Sequence, residues 1–297
     1  MKNNANQNSL RQTKQFKVST EGPRLAPDLI CIGAQKAGTT WLSQIFRQHP
    51  MLWNPGVKEI HFFDKLQGKK VPPEFCRNLL RSFKRKQAQG IFRTSERLLA
   101  NIEKNGMNFS RYKKLYDFAP EESKTWEITP SYSSMSPDKI DFLLRKLTDT
   151  KFIYIIRDPI ARAQSSLRMH IQRDFGKAEV AQADVDASAR KWLEDNAMAR
   201  GKYSNIIPHW HSRLDGTGRL MTVPFGRIKS DPSTLIEELE DFIAVARYTD
   251  YKGLTTPTHV TQKMELPQFA IDAITKEMAG ERDYIRDELG VAFESQI

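Results

Sequence analysis

The stretch LICIGAQKAGTTWLSQIF, residues 29–46, decides the fold. Its first five residues form an apolar run, as expected of a parallel strand covered on both faces. A turn bounded by Gly33 and Gly38 follows. Trp41, Leu42, Ile45 and Phe46 then recur at helical spacing, and Pro50 stops the helix. Strand, glycine-bounded turn and helix is the layout of a phosphate-binding loop, in which backbone amides and the helix N-terminus cradle an anion. The two glycines have the spacing of a Walker A motif, but that motif places its lysine directly after the second glycine. Here Thr39 stands there and the lysine, Lys36, lies inside the loop.

The same rhythm continues along the chain. MLW (51–53), KTWEIT (124–129), KFIYII (151–156) and RLMTVPF (219–225) read as further strands, with helical patterns between them. In DPSTLIEELEDFIAVA, Asp231 is expected to cap a helix with Pro232 at its first position. Strands spaced by helices predict an α/β fold: a P-loop-like parallel sheet of about five strands flanked by helices in three α/β/α layers. The strand FIYII ends in Arg157 rather than in an acid, so no Walker B aspartate is evident. Together with the missing lysine, this argues against ATP or GTP hydrolysis.

Composition bounds the rest. The 297 residues, 39% hydrophobic, can bury one large α/β core. The net charge of +10 favours anionic partners. Two cysteines, Cys31 and Cys76, give no disulfide framework, and Cys31 falls in the strand core. The polar, basic N-terminus lacks the apolar core of a signal peptide, and no 18-residue apolar run exists. A cytoplasmic protein without a transmembrane segment is the expectation. Residues 1–26 read as a disordered tail, and 27–297 as one domain.

Residues 65–113 break the rhythm with a cluster of Lys and Arg, Arg93 included, and two helical patterns, NLLRSFKR and ERLLANIEK. This predicts a basic helical insertion covering the mouth of the sheet. Phe75, Phe83 and Phe92 there could stack nucleic-acid bases, although the spacing suits helix packing equally and no nucleic-acid motif accompanies them.

GAQKAGTTWL, then HP, KEIHFFD, EITPSY and IIRDPIARAQSSL occur in this order. Together they resemble the sulfotransferases that use 3′-phosphoadenosine 5′-phosphosulfate (PAPS), and in particular their carbohydrate branch, which includes the heparan sulfate enzymes. The resemblance spans roughly residues 27–246. It implies that Gln35, Lys36, Ala37, Gly38, Thr39 and Thr40 surround the donor's 5′-phosphosulfate, with Trp41 also at the donor, and that Lys36 stabilises the leaving group. It implies that Arg157 and Ser165 bind the 3′-phosphate, with Ser166 the alternative to Ser165. It makes Glu59 the catalytic base, with His61 and Asp64 supporting it near the acceptor.

A sugar hydroxyl attacks well only if its proton leaves, which a placed carboxylate accelerates by about 10²–10⁴. In a dry cleft the pKa of Glu59 is expected to rise. Two features depart from the family. Ile128 replaces its usual active-site lysine, which leaves Glu127 and Tyr132 as candidates to line the cleft. The last donor-binding loop is represented only by Lys252-Gly253. The implied reaction moves a sulfuryl group from PAPS to an acceptor hydroxyl of a saccharide or other aliphatic alcohol, and the basic insertion favours an acidic saccharide. It releases adenosine 3′,5′-bisphosphate and needs no metal and no nucleic acid. The competing readings are a P-loop nucleotide kinase or NTPase and a non-catalytic polyanion binder.

Overall fold

In the computed structural model of the chain, residues 27–89, 94–176, 180–195, 197–256 and 264–297 are described. The expected tail at 1–26, Phe92 and Arg93 lie outside these residues. The opening apolar run is β1 (Leu29–Gly33), every residue buried, followed by α1 (Thr39–Phe46). The short β2 (Leu52–Trp53) comes next. The basic insertion holds β3 (Lys70–Val71), α2 (Pro73–Ala88), α3 (Glu96–Asn105), β4 (Met107–Asn108) and α4 (Phe109–Lys114). β5 (Lys124–Ile128), α5 (Pro137–Lys146) and β6 (Lys151–Ile156) return to the sheet. α6 (Pro159–Phe175), α7 (Gln182–Glu194) and α8 (Tyr203–Leu214) lead to β7 (Leu220–Pro224). α9 (Arg227–Ser230), α10 (Pro232–Ile243), α11 (Gln268–Glu277), α12 (Glu281–Leu289) and α13 (Val291–Glu294) close the chain.

The five predicted strands form one parallel sheet in the order β2-β5-β1-β6-β7, while β3 and β4 pair antiparallel within the insertion. β1 is central, hydrogen-bonded to β5 on one side and β6 on the other. The connections therefore leave β1 in opposite directions. Right-handed crossovers then put helices on both faces, and the loop after β1 falls at the switch point where ligands bind. Core residues of α1, α5, α8 and α10 pack with those of the sheet, and Trp210 on α8 donates its indole N–H to the buried Ser133 carbonyl at 2.9 Å.

Two local details depart from expectation. Asp231 precedes α10 but makes no capping bond; its carboxylate lies 3.6 Å from Arg227 on the preceding helix. The insertion's charges also divide. Arg77, Arg81 and Arg97 are exposed, and Lys84 pairs with Glu103 at 3.0 Å, whereas Lys65, Arg85 and Lys86 face a groove shared with Lys58, Glu59 and His61. Phe83 is fully buried in the core, so it cannot stack on a base.

Candidate active site

The loop after β1 turns through left-handed backbone at Lys36 (φ 69°) and Gly38 (φ 81°). The left-handed φ at Gly38 favours glycine, and a β-carbon there would also displace the Ile228 side-chain tip on α9, 2.4 Å away. A lysine held in this region carries strain of the kind found at functional sites. Gly38 offers α1 no capping side chain, which leaves the first-turn amides to an anion. Ala37 is buried and spends its N–H on the Ala34 carbonyl at 3.2 Å, closing the loop on itself. Gln35 and Thr40 stand half-buried at the loop and the helix start.

Three cations converge on this loop. Burial, then the charges of Arg157 and Lys58, hold the Lys36 ammonium below its ordinary pKa. Arg157, just past β6, donates Nη1–H to the Lys36 carbonyl at 2.7 Å and lies over the Phe225 ring at 4.6 Å. Lys58 Nζ donates to Thr39 Oγ1 at 3.1 Å and to Glu59 Oε1 at 3.3 Å, tying the anion loop to the expected base. Sequence reasoning missed Lys58, although it opens the KEIHFFD stretch next to Glu59.

KEIHFFD folds as an irregular segment hung from the end of β5. Ile128 N–H donates to the Lys58 carbonyl (3.1 Å), and Ile60 N–H donates to Thr129 Oγ1 (3.2 Å). Tyr132 Oη accepts from the N–H groups of Phe62 (2.9 Å) and Phe63 (3.3 Å). Ile60, Phe62 and Phe63 are buried, and Phe62 stacks on Tyr112 at 4.7 Å. Burying these apolar side chains turns Glu59, His61 and Asp64 to the other side. There His61 Nε2 lies 3.3 Å from Glu59 Oε2, and Nδ1 lies 2.9 Å from Asp64 Oδ2. Ser131 donates to the same Asp64 oxygen at 2.7 Å, and Lys139 Nζ donates to the Asp64 carbonyl at 2.6 Å.

The electrostatics of this array correct one expectation. Burial does push the Glu59 carboxyl up, but the His61 hydrogen bond and the Lys58 charge outweigh it and leave its pKa below the ordinary value. Burial likewise opposes charge on His61, yet its hydrogen bonds to the Asp64 and Glu59 carboxylates raise its pKa to about 9. The array is a cation held between two carboxylates.

A second correction concerns EITPSY. Glu127 and Tyr132 are fully buried and do not line the cleft. Glu127 accepts from Tyr112 Oη (2.6 Å) and Thr129 Oγ1 (2.5 Å), behind the base segment. Ile128 is also fully buried, so the position of the family lysine belongs here to the core.

Ser165 is half-buried on α6 while Ser166 is buried, which leaves Ser165 the more accessible of the two. Asp158 caps α6 through a 2.7 Å bond to the Ala161 N–H. Trp41 is buried and donates its indole N–H to the Leu254 carbonyl (2.9 Å). Lys252 and Gly253 lie against the C-terminal end of α1. The Lys252 N–H donates to Gln48 Oε1 at 2.7 Å, and its exposed ammonium pairs with Asp250. A groove of about 640 Å³ opens beside Glu59 and His61. Phe75, Asn78, Ser82 and Arg85, spaced along one face of α2, form its far wall, with Arg47 and Lys65 at its edges.

An anion loop at the switch point of a parallel sheet, with a carboxylate beside it and no lysine after its second glycine, defines a group-transfer site of the P-loop-like α/β class rather than an NTPase. Residues 27–250 match the sulfotransferase family, and the chain belongs to it. It is 25% identical over 234 residues to mouse (Mus musculus) heparan sulfate glucosamine 3-O-sulfotransferase 3A1, covering 76% of this chain and 48% of that protein. It is also 25% identical over 236 residues to the human (Homo sapiens) heparan sulfate glucosamine 3-O-sulfotransferase 6, covering 77% and 56%. The chain thus spans about half the length of the curated relatives it matches. The fold matches the crystal structure of a sulfotransferase from Alicyclobacillus acidocaldarius with TM-score 0.59 and 20% identity, over 88% of this chain and 95% of that one.

Proposed function

We propose that the chain is a PAPS-dependent O-sulfotransferase acting on a hydroxyl of a saccharide or other aliphatic alcohol, with an acidic saccharide the best match to its groove. The observation that carries this reading is the convergence of Lys36, Lys58 and Arg157 on the loop, linked through the Lys58 ammonium to Glu59. The residues fit an anionic donor: neither Lys36 nor Arg157 has a carboxylate partner among the described residues, and the α1 amides face the same loop.

The donor supplies an activated sulfuryl group. The acceptor oxygen bonds to sulfur, the bond from sulfur to the phosphate oxygen breaks, and that oxygen keeps the electron pair. Glu59, ionised at neutral pH, takes the acceptor proton. Lys36 and the loop amides hold the charge that develops on the leaving phosphate, a contribution often worth about 10²–10³ in rate per donor. Lys58 couples the two events: a proton on Glu59 weakens its hold on the ammonium, which is then free to face the loop as negative charge grows there. His61 keeps Glu59 oriented and stays paired with Asp64 once Glu59 is neutral. On the acceptor side, Arg47, Lys65, Arg85 and Lys86 suit carboxylate or sulfate groups flanking the reacting hydroxyl.

The test is transfer of label from ³⁵S-PAPS to a panel of acidic and neutral oligosaccharides and simple alcohols. Labelled product is expected with wild type, with loss in Lys36→Ala and Glu59→Ala. Undiminished transfer by both variants would sink the mechanism, and Mg²⁺-dependent ATP turnover would sink the assignment.

A further inference from the structure

α6 and the residue just ahead of its cap, Arg157, hold more uncompensated positive charge than Arg157 alone supplies. Arg168 lies three residues beyond Ser165, so the two share a face of the helix. Arg168 is half-buried and donates Nε–H to the Met264 carbonyl at 3.1 Å. Arg157 likewise spends its bond on a carbonyl, that of Lys36. A carbonyl satisfies a donor but neutralises no charge. The two guanidiniums are near enough that the charge of Arg168, after burial, helps lower the pKa of Arg157.

The acids of this helix are committed elsewhere. Asp158 caps Ala161 and lies 3.5 Å from Arg282, and Asp174 lies 3.4 Å from His170 and accepts from Ser188. Among the described residues, neither arginine has a carboxylate within 4 Å. Behind them Arg162 is fully buried, and all three of its guanidinium nitrogens lack a protein partner. Buried like charges left unpaired are costly unless an anion compensates them. Two half-buried guanidiniums close enough to feel each other's charge, one of them on the helix face of the Ser165 hydroxyl, suit a phosphate dianion, which accepts forked N–H bonds from several sides.

We propose that Arg168 is a second arginine of the donor site, engaging the 3′-phosphate together with Arg157 and Ser165, and that it sets the preference for a 3′-phosphorylated nucleotide. Arg162 adds field from behind without touching the ligand. The proposal rests on the sulfotransferase reading above.

Isothermal titration with adenosine 3′,5′-bisphosphate and with adenosine 5′-monophosphate separates the two. Wild type should bind the bisphosphate far more tightly; equal affinities would overturn the donor-site reading, and the proposal with it. Arg168→Gln should weaken the bisphosphate about 10- to 100-fold, the range for hydrogen bonds to charged groups, and leave the monophosphate within about twofold. Retained monophosphate binding also shows that the variant is folded. Arg168→Lys should fall between. Arg173→Gln, an exposed charge on the same helix, controls for net charge and should change neither. Equal weakening of both nucleotides by Arg168→Gln, or weakening of neither, would overturn the role of Arg168 while leaving the donor site standing.

Discussion

Replacing His61 by asparagine should remove a stabilisation that is present at neutral pH and vanishes in alkali. His61 lies between Glu59 (3.3 Å) and Asp64 (2.9 Å). Burial opposes its charge, but the two carboxylates outweigh burial and raise its pKa from 6.5 to about 9. Because the folded value lies above the unfolded one, the stabilisation is complete below about pH 6.5 and is lost as pH rises through about 9. The full displacement would be worth about 3 kcal/mol. The imidazole is 37% exposed, and solvent screening should reduce the net effect to about 1–2 kcal/mol. Glu59 and Asp64 have the opposite sign: their pKa values are lowered, so their contribution holds above the ordinary carboxylate range and is lost in acid.

Urea unfolding of wild type and His61→Asn between pH 6 and 10 measures the difference. It should be about 1–2 kcal/mol at pH 6 and shrink to a few tenths by pH 10. NMR titration of the imidazoles, with His61→Asn identifying its signal among six histidines, gives the pKa directly. A midpoint near 6.5, or a stability difference that does not change with pH, would refute the reasoning. Activity should follow the same groups, with a plateau at neutral pH and a fall near pH 9 as the imidazolium that orients Glu59 is lost.

Other outcomes follow from single contacts. Lys58→Met should lower the sulfation rate by about 10²-fold or more. It should also move the acid limb of the pH–rate profile upward, because Lys58 helps hold the Glu59 pKa down. Gly201→Ala puts a β-carbon 2.8 Å from Nε of the fully buried Arg162, which cannot swing into solvent; a loss of about 1–3 kcal/mol in urea unfolding is expected. Trp210→Phe removes the indole bond to the buried Ser133 carbonyl and should cost about 1–3 kcal/mol in the same assay.

What the sequence disclosed, and what it withheld, divides along the range of the interactions involved. The central strands were legible because LICIG and KFIYII are local apolar runs that needed no partner to be recognised, and KTWEI because its β-branched and aromatic residues fall between helical patterns. The loop was legible because glycine spacing fixes a backbone shape. KEIHFFD was legible only through its resemblance to the carbohydrate sulfotransferases; its physical basis, burial of Ile60, Phe62 and Phe63 with Glu59, His61 and Asp64 on the other side, appears in the fold. The strand order was not legible, since it is set by backbone pairing between strands far apart in the chain, which no local pattern encodes. Nor were the supports of the base segment, because Thr129, Ser131 and Tyr132 lie about 70 residues away and act through backbone amides or a shared carboxylate oxygen. The pKa of Glu59 shows how the two ranges interact. Burial alone predicts a raised value, and burial is the one influence that can be guessed from a cleft. The hydrogen bond from His61 and the charge of Lys58 reverse the sign. Both residues stand within two positions of Glu59, so the identities were in plain view. What was missing was the left-handed backbone at His61 (φ 58°), which brings its ring back beside Glu59 while Asp64 holds the other nitrogen.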